Sequence, residues 1–264
     1  MADKFMSMKN LQFTLHSRSG RYHSRTPAYL EGHTPKTIDM VLNAALELGK
    51  KVMHPMFEDM DRCPPELNEG EVKVNGGVRP MMETLGQDGW ISAGFPEEWE
   101  GENMPAILQH CIFFIFGAAN YSASAYPGLT MGAVKLILSF GSQELQITYL
   151  PPMLAGKWQG TMALTEPEAG SSLGDLTCEA RPVAEGRYKI SGEKIFISAG
   201  DHDGVDNVVH LMLARIPGAP DGIKGISLFV VPKFRPGPQG DLEKNDVTVT
   251  QVFHKLGYKG APIT

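Results

Sequence analysis

The strongest constraint on this chain is a change of hydrophobic period near residue 160. Upstream, apolar residues recur at helical spacing, and the first amphipathic helix is predicted to begin with Thr34 as N-cap and Pro35 at the first helical position. Downstream, short β-branched or alternating runs are separated by Gly, Pro and Asp turns. The sequence therefore predicts an α+β fold with an N-terminal extension over 1–33, an all-α domain over 34–160 and a β domain over 161–264.

The helical half is predicted to contain further helices at 79–85, 105–120, 128–140 and 142–149. Gly86 is expected to end the first of these. Pro151 and Pro152 are expected to end the last, because proline lacks the backbone N–H that a helix interior needs. The Pro- and Gly-rich residues 63–78 are predicted to form a loop.

The β half is predicted to hold short strands with no helical pattern between them. They are placed at 176–183, 187–191, 194–198, 208–215, 226–232 and 247–254. Such spacing favours an antiparallel sandwich or barrel over a doubly wound nucleotide-binding fold. In agreement, the sequence has no G-x-G-x-x-G after a strand and no P-loop.

The charge balance and the cysteines exclude several classes of protein. With 24 Lys and Arg against 30 Asp and Glu, the net charge of −6 disfavours binding to nucleic acid or to an anionic membrane surface. The charge-free stretch 103–134 is interrupted by polar residues and prolines, so it is expected to form buried helices rather than a membrane span. Three cysteines without a C-x-x-C pair indicate neither a disulfide framework nor a zinc site. With no recognisable secretory segment after Met1, we expect a cytoplasmic protein.

The histidines do not indicate a metal site. Among eight histidines, none form an i, i+4 ligand pair. His202, between Asp201 and Asp203, is predicted to lie in a solvated turn rather than to bind a metal.

The segment 162–175 concentrates small and hydroxyl-bearing residues where the helical half meets the β half. Gly170 and Gly174 would let the main chain approach a ligand closely, and Ser171 and Ser172 add rotatable O–H donors. Such a loop can surround a phosphate or the edge of a heterocycle. An ordinary interdomain turn explains the same composition, and composition alone favours that simpler interpretation.

The segment 194–200 carries an aromatic residue beside a hydroxyl. Strand alternation would place Ile195 and Ile197 on one face and Phe196 and Ser198 on the other. A ring face next to an O–H donor suits a planar ligand. The alternative, favoured for an isolated pair of this kind, is that Phe196 is a core aromatic.

Several motifs, taken in order and spacing, resemble the acyl-CoA dehydrogenase family. They lie at residues 149–151, 154–158, 164–171, 192–200 and 254–257, with supporting turns at 96–101 and 140–144. The resemblance covers roughly residues 34–264. The N-terminal extension and the Phe-Ile-Ser variant of one motif are most similar to the large-subunit branch, which includes methylthiopropanoyl-CoA dehydrogenases.

The resemblance implies FAD as cofactor, held between the β domain and a C-terminal helical bundle. The implied cofactor-binding residues are Met162, Leu164, Thr165, Gly170, Ser171, Phe196, Ile197 and Ser198. The first three match the strand that bonds the pyrimidine edge of the flavin, and the Gly-Ser pair matches the loop near the pyrophosphate and the CoA arm. Phe196 and Ser198 match the aromatic and hydroxyl positions beside the ring, where the family more often has Trp and Thr, and the hydroxyl bonds flavin N5.

The implied reaction is α,β-dehydrogenation of an acyl-CoA, in which a carboxylate takes the α proton and flavin N5 accepts the β hydride. Ser171, Tyr126, Leu129 and Met131 are the candidate substrate-binding residues. The family's base is a Glu in the C-terminal bundle, and neither that bundle nor the last β-domain strand has a counterpart up to Thr264. No catalytic residue is therefore assigned, because Glu166 and Glu168 fall in the cofactor loop.

The same resemblance implies partners and leaves an alternative open. An electron-transfer flavoprotein or similar acceptor and a homo-oligomeric complete enzyme are expected. The alternative is a non-catalytic flavin- or partner-binding module that acts as a subunit beside a second chain.

Overall fold

The computed structural model describes residues 5–18, 33–237 and 241–264. Within the predicted extension, the structure has the short helix α1, Met8–Phe13, which ends in a π-helical turn over Thr14–Arg18. Leu15 in this turn is buried in the helical core. Residues 1–4 and 19–32 lie outside the described part of the chain.

The predicted first helix is confirmed. Helix α2 covers Pro35–Leu48, and the Thr34 side chain accepts a hydrogen bond from the Thr37 amide at 3.2 Å, which caps the helix. A short helix α3, Phe57–Arg62, follows.

The prediction of a loop throughout 63–78 was wrong. Strands β1, Glu66–Asn68, and β2, Glu71–Lys73, pair antiparallel in this stretch. Glu69 and Gly70 have φ of 51° and 82°, and two consecutive residues with positive φ make the tight turn that closes a two-residue hairpin.

Helix α4, Val78–Gln87, passes through Gly86 instead of ending there. A Cβ at Gly86 would lie 2.2 Å from the carbonyl carbon of Ala155. This glycine therefore permits close packing against the backbone at Ala155 rather than ending its own helix.

The two predicted helices 105–120 and 128–140 form one helical run, α5, Ala106–Phe140, broken only at Asn120. Asn120 has φ −165° and ψ 101°, and it caps the second half by accepting from the Ala123 amide at 3.1 Å. Its amide nitrogen donates to the Met53 carbonyl at 3.1 Å. The break is thus satisfied internally, and it lies upstream of Pro127, which is inside the helix.

Helix α6, Gln143–Leu154, continues through the prolines that were expected to end it. Leu150 and Met153 are fully buried. Packing of this last turn outweighs the poor helix propensity of Pro151 and Pro152.

By length and hydropathy, α5 is apolar enough to cross a membrane. A core helix of a soluble protein meets the same criterion. Ile115 and Val134 are fully buried within the protein, whereas Phe114 and Tyr121 are 58% and 66% exposed. The expected burial therefore holds for one face of the helix only.

The β half contains a five-stranded sheet of mixed direction. Its strands are β3 Trp158–Ala163, β4 Glu179–Ala184, β5 Arg187–Ser191, β6 Asn207–Arg215 and β7 Ile226–Pro232. The order is β3-β6-β4-β5, with β7 also paired to β6. β6 is parallel to β3 and β4 and antiparallel to β7, and β4 is antiparallel to β5. The α+β class is confirmed, but the antiparallel prediction was wrong, because the long connection 164–206 returns the chain to run beside β3 in the same direction.

Two predicted strands are absent from the described residues, and a hairpin was missed. Phe196, with a φ of 59°, interrupts the predicted strand 194–198, and 247–254 is irregular. Strands β8, Phe234–Pro236, and β9, Leu242–Lys244, pair antiparallel instead.

The helical half and the sheet share one hydrophobic core. Helix α5 packs directly on β3, where a Cβ at Gly160 would lie 2.5 Å from the Ala133 Cβ. Val209 and Leu211 of β6 also belong to this core.

Candidate functional site

The two segments predicted to hold a cofactor lie side by side at the end of β3. The Thr161 hydroxyl donates to the Ser198 carbonyl at 2.8 Å, and the Ile195 amide donates to the Thr165 carbonyl at 2.9 Å. These bonds tie the stretch 194–198 along β3 and its exit loop. Residues far apart in the sequence are thereby brought into one site.

Phe196 is half exposed rather than part of the core, so the core-aromatic interpretation was wrong. Its side chain is 54% exposed and its ring lies 4.7 Å, centroid to centroid, from that of Phe253. Ile197 next to it is buried and exchanges two backbone hydrogen bonds with Thr264, at 2.7 and 3.0 Å. The buried neighbour anchors the segment and leaves the Phe196 ring accessible to a planar ligand.

Unpaired hydroxyl groups lie on the segment that carries this ring and on the adjoining loop. Among the described residues, the side chains of Thr165, Ser171 and Ser198 have no hydrogen-bond partner. A Cβ at Gly170 would lie 3.7 Å from the Thr165 methyl group, so the loop returns close to the strand end. Free hydroxyls on the strand exit and on the segment that carries an accessible aromatic ring are chemically suited to a heterocyclic ligand with polar edges.

Met162 and Leu164 lie at the end of β3 with partly buried side chains. Met162 is half-buried within β3, paired with Leu211 of β6, and Leu164 is half-buried just beyond the strand. The Leu164 carbonyl accepts a hydrogen bond from Lys194 Nζ at 3.0 Å.

Glu166 is a buried carboxylate, and both of its oxygens accept hydrogen bonds. It accepts from the Thr177 amide at 2.6 Å, the Thr177 hydroxyl at 2.8 Å, the Cys178 amide at 3.1 Å and Lys194 Nζ at 2.7 Å. Burial alone would raise the pKa of Glu166, but these donors outweigh it and lower the pKa to about 2. A carboxylate this acidic is a poor proton acceptor, so Glu166 is structural, whereas Glu168 is exposed.

Sequence reasoning missed Lys194 as part of the site. The Lys194 and Glu166 side chains are 7% and 2% exposed, although they are 28 positions apart. No local spacing relates them. The available signal was their position, since each lies within a motif that carried the family resemblance.

The candidate acyl-binding residues of α5 have different surroundings. Tyr126 is fully buried, and its hydroxyl donates to the Gly260 carbonyl at 2.8 Å. Leu129 and Met131 are half-buried, and Met131 lines a narrow crevice with Trp90. Tyr126 is therefore an interior contact here rather than part of an open pocket, and substrate binding by Leu129, Met131 and Ser171 stays a prediction.

A cavity of about 260 Å³ lies beside this site rather than within it. Its lining combines the end of α3 with the C-terminal segment, and it includes Phe253, whose ring contacts Phe196. It also includes His254 and Lys255. Burial lowers the pKa of Lys255 to about 8, and its ammonium lies 4.2 Å from the centre of the Tyr258 ring.

The turn around His202 is buried, so its prediction as a solvated turn was wrong. His202 is 2% exposed, and neither ring nitrogen has a hydrogen-bond partner. Asp201 is buried too and pairs with Lys233 at 2.6 Å. Over residues 5–18, 33–237 and 241–264, no group of three or more His, Cys, Asp or Glu could hold a metal ion.

Comparison with known proteins places this site in a family. The family model for the N-terminal domain of acyl-CoA dehydrogenases matches residues 36–157, and the model for their middle domain matches 161–264. The 3-methylmercaptopropionyl-CoA dehydrogenase of Ruegeria pomeroyi is 36% identical over 237 residues, which cover 88% of this chain and 40% of that protein. A butyryl-CoA dehydrogenase of Syntrophomonas wolfei is 42% identical over 242 residues, covering 89% of this chain and 39% of that protein. The chain thus spans about 40% of the length of these curated relatives.

A solved structure shows the same fold. The acyl-CoA dehydrogenase of Bacillus anthracis complexed with FAD superimposes with a TM-score of 0.67 at 23% identity, covering 88% of this chain and 35% of that one. The fold, the motifs around the site and the two matching family models agree with the resemblance seen in the sequence. The chain belongs to the acyl-CoA dehydrogenase family.

Proposed function

We propose that this chain supplies one wall of the FAD site in an enzyme that dehydrogenates an acyl-CoA thioester between its α and β carbons. The observation that carries the proposal is the exposed Phe196 ring, flanked by unpaired hydroxyls at Thr165 and Ser198. When bound, FAD would supply the hydride acceptor for the β carbon.

Each residue of the wall has a part in this proposal. The backbone at Met162 and Leu164 and the Thr165 hydroxyl would bond the pyrimidine edge of the flavin. The Ser198 hydroxyl would donate to N5, and the Phe196 ring would exclude water from one side. Gly170 and Ser171 would leave room for, and bond, the pyrophosphate or the CoA arm, while Ile197 holds the segment by its backbone pairing with Thr264.

The base that removes the α proton is proposed to lie outside these 264 residues. Glu166, with its pKa lowered to about 2 despite burial, is already the acceptor of several hydrogen bonds. In this proposal the substrate is an acyl-CoA, the electrons pass to an electron-transfer flavoprotein or similar acceptor, and the complete enzyme is a cytoplasmic homo-oligomer. The alternative is a non-catalytic flavin-binding subunit.

A titration of FAD into the purified chain tests the site. We expect weak but saturable quenching of flavin fluorescence, because one wall leaves part of the ring in water. Phe196→Ala and Ser198→Ala should weaken binding further, whereas Phe140→Ala, which removes an exposed ring from the end of α5, should not. Equal binding by all four proteins would contradict the proposed site.

The two candidate functions differ in what happens after flavin binding. A catalytic chain, when joined by the polypeptide that carries the base, should reduce flavin on addition of an acyl-CoA. A flavin-binding subunit should hold FAD and leave it oxidised under the same conditions.

A further inference from the structure

A buried ion pair lies directly behind the residues proposed to face the flavin. Lys194 Nζ is 2.7 Å from Glu166 Oε1, and it also donates to the Leu164 carbonyl at 3.0 Å. An ammonium has several donors and no acceptor, so it can serve a carbonyl and a carboxylate at once. Lys194 therefore joins the exit of β3 to the loop that follows it.

The carboxylate of Glu166 is anchored in turn to a third segment. Thr177 donates both its amide and its hydroxyl, and Cys178 donates its amide. Cys178 is fully buried just before β4. Glu166 is thereby fixed to the sheet, and Lys194 is fixed by Glu166.

As a result, the carbonyls of two consecutive residues accept hydrogen bonds from another pair of consecutive residues. Lys194 Nζ binds the Leu164 carbonyl, and the Ile195 amide binds the Thr165 carbonyl at 2.9 Å. With both carbonyls occupied, the peptide between Leu164 and Thr165 has one orientation. The Thr165 side chain on that peptide has no partner among the described residues.

Resting on the proposed function, we propose that Lys194, held by Glu166, is a positioning residue for the flavin. It fixes the Leu164–Thr165 peptide so that the main chain and the Thr165 hydroxyl meet the pyrimidine edge of the ring in a preset geometry. Preset donors bind a ligand more tightly because less freedom is lost on binding.

A second buried ion pair provides a matched control. Lys233 Nζ is 2.6 Å from Asp201 Oδ1, and the two side chains are 18% and 6% exposed. It has no hydrogen bond with the residues proposed to face the flavin. Lys233→Met therefore removes a buried ammonium without altering the Leu164 carbonyl.

The experiment compares the parent chain with Lys194→Met and Lys233→Met by two measurements. Amide hydrogen exchange at Ile195, measured by NMR without FAD, reports the stability of the hydrogen bond from this amide to the Thr165 carbonyl. Titration with FAD reports the affinity for FAD. We expect Lys194→Met to speed amide exchange at Ile195 and to weaken FAD binding by about 10- to 100-fold. Removing residues that orient metal ligands through hydrogen bonds lowers metal affinity by the same factor. Lys233→Met should leave both within about threefold of the parent, because Lys233 shares no hydrogen bond with the residues proposed to face the flavin.

The double variant Glu166→Gln/Lys194→Met separates positioning from stability. Either single change leaves a buried charge without its partner and can impair folding, whereas removing both charges avoids that penalty. We expect the double variant to melt close to the parent and still bind FAD weakly, because the Leu164 carbonyl lacks its donor.

The remaining outcomes overturn one proposal or both. Parent-like FAD affinity in the double variant, or parent-like exchange at Ile195 in Lys194→Met, would show that the pair only stabilises the fold. A parent chain that binds no FAD would contradict the proposed function and this positioning role with it.

Discussion

The phenolic hydroxyl of Tyr126 donates a hydrogen bond to the Gly260 carbonyl at 2.8 Å, joining α5 to the C-terminal segment across 134 positions of sequence. The Gly260 amide in turn donates to the Ser122 hydroxyl at 3.1 Å. A Cβ at Gly260 would lie 2.6 Å from the Met60 Cβ, so the segment is wedged between α3 and α5. The C-terminal residues that pair with Ile197 thus belong to the same packed unit as the helices.

Tyr126→Phe should destabilise the chain by about 1 to 3 kcal/mol, because it leaves the buried Gly260 carbonyl without a donor. The free energy of unfolding in urea measures this. Tyr121→Phe is the control, since Tyr121 is 66% exposed on the same helix and its ring is kept. Equal effects of the two changes would show that the Tyr126 bond contributes nothing specific.

Gly160→Ala should destabilise the chain by about 1 to 3 kcal/mol through overpacking between α5 and β3. The added Cβ would lie 2.5 Å from the Ala133 Cβ and 3.1 Å from the Thr130 Cα. Gly132→Ala on the same helix meets nothing within 4 Å and should stabilise by roughly 0.5 to 1 kcal/mol. Thermal unfolding of both variants checks the opposite signs, and two shifts of the same sign would contradict this packing.

The buried His202 should make the chain less stable as the pH falls. Burial lowers the pKa of His202 from 6.5 to about 3, although Asp203 opposes this shift. Below pH 6.5 the unfolded chain therefore binds a proton that the folded chain does not, which costs up to about 1.4 kcal/mol per pH unit. His210 has a pKa lowered to about 4, also by burial, and adds a similar loss.

His202→Phe should reduce the loss of stability by up to about 1.4 kcal/mol per pH unit, because the variant lacks one titrating ring. The substitution breaks no hydrogen bond, since the ring nitrogens of His202 have no partners. A phenyl ring would keep the edge contact with Tyr126, whose ring centre lies 5.0 Å from that of His202. Unfolding in urea at pH 6.5, 6.0, 5.5 and 5.0 shows how the free energy of unfolding of each protein changes with pH. These pH values lie at or below the ordinary His pKa of about 6.5. Parallel slopes for parent and variant would contradict the assignment.

The chain with added FAD should dehydrogenate an acyl-CoA about 10²- to 10⁴-fold more slowly than an enzyme with its base in place, because the proposed function puts the general base outside these residues. Anaerobic addition of butyryl-CoA, followed by the flavin absorbance, measures this. Faster bleaching of the flavin would point to Glu168, which is exposed in the same loop. If Glu168→Gln then abolished the bleaching, Glu168 would be identified as the base. Glu98→Gln, which changes an exposed carboxylate of the helical half, should leave the bleaching unchanged.

Local sequence signals predicted the parts of the fold that depend on local physics. Thr34 and Pro35 marked the start of α2, because capping and a fixed φ act within one helical turn. The predicted end of a helix at Asn120 coincides with the break in α5, but the immediate continuation of the helical run was missed, because the break is satisfied by the Met53 carbonyl from another helix. The direction of β6 relative to β3 was missed for a related reason, since parallel pairing depends on the path of a long connection.

The candidate site was predictable in composition but not in conformation. The family resemblance selected Phe196 and Ser198, whereas strand alternation gave the wrong conformation, because Phe196 has a φ of 59°. A positive φ in a non-glycine residue has no sequence signature and is maintained by surrounding contacts. The partnership of Glu166 with Lys194 likewise depends on the folded chain, since no local spacing connects them.

The pairing of β3 with β6 has a consequence for how this chain is made. β3 has β6 as its only strand partner among the described residues, and β6 emerges from the ribosome only after residues 164–215 have been added. At roughly 5 to 20 residues per second, the free edge of β3 would wait about 3 to 10 s for that partner. During this delay α5, already synthesised, can cover one face of β3 but not its edge. We therefore expect the nascent chain to be most exposed to misassociation between the synthesis of Ala163 and that of Arg215.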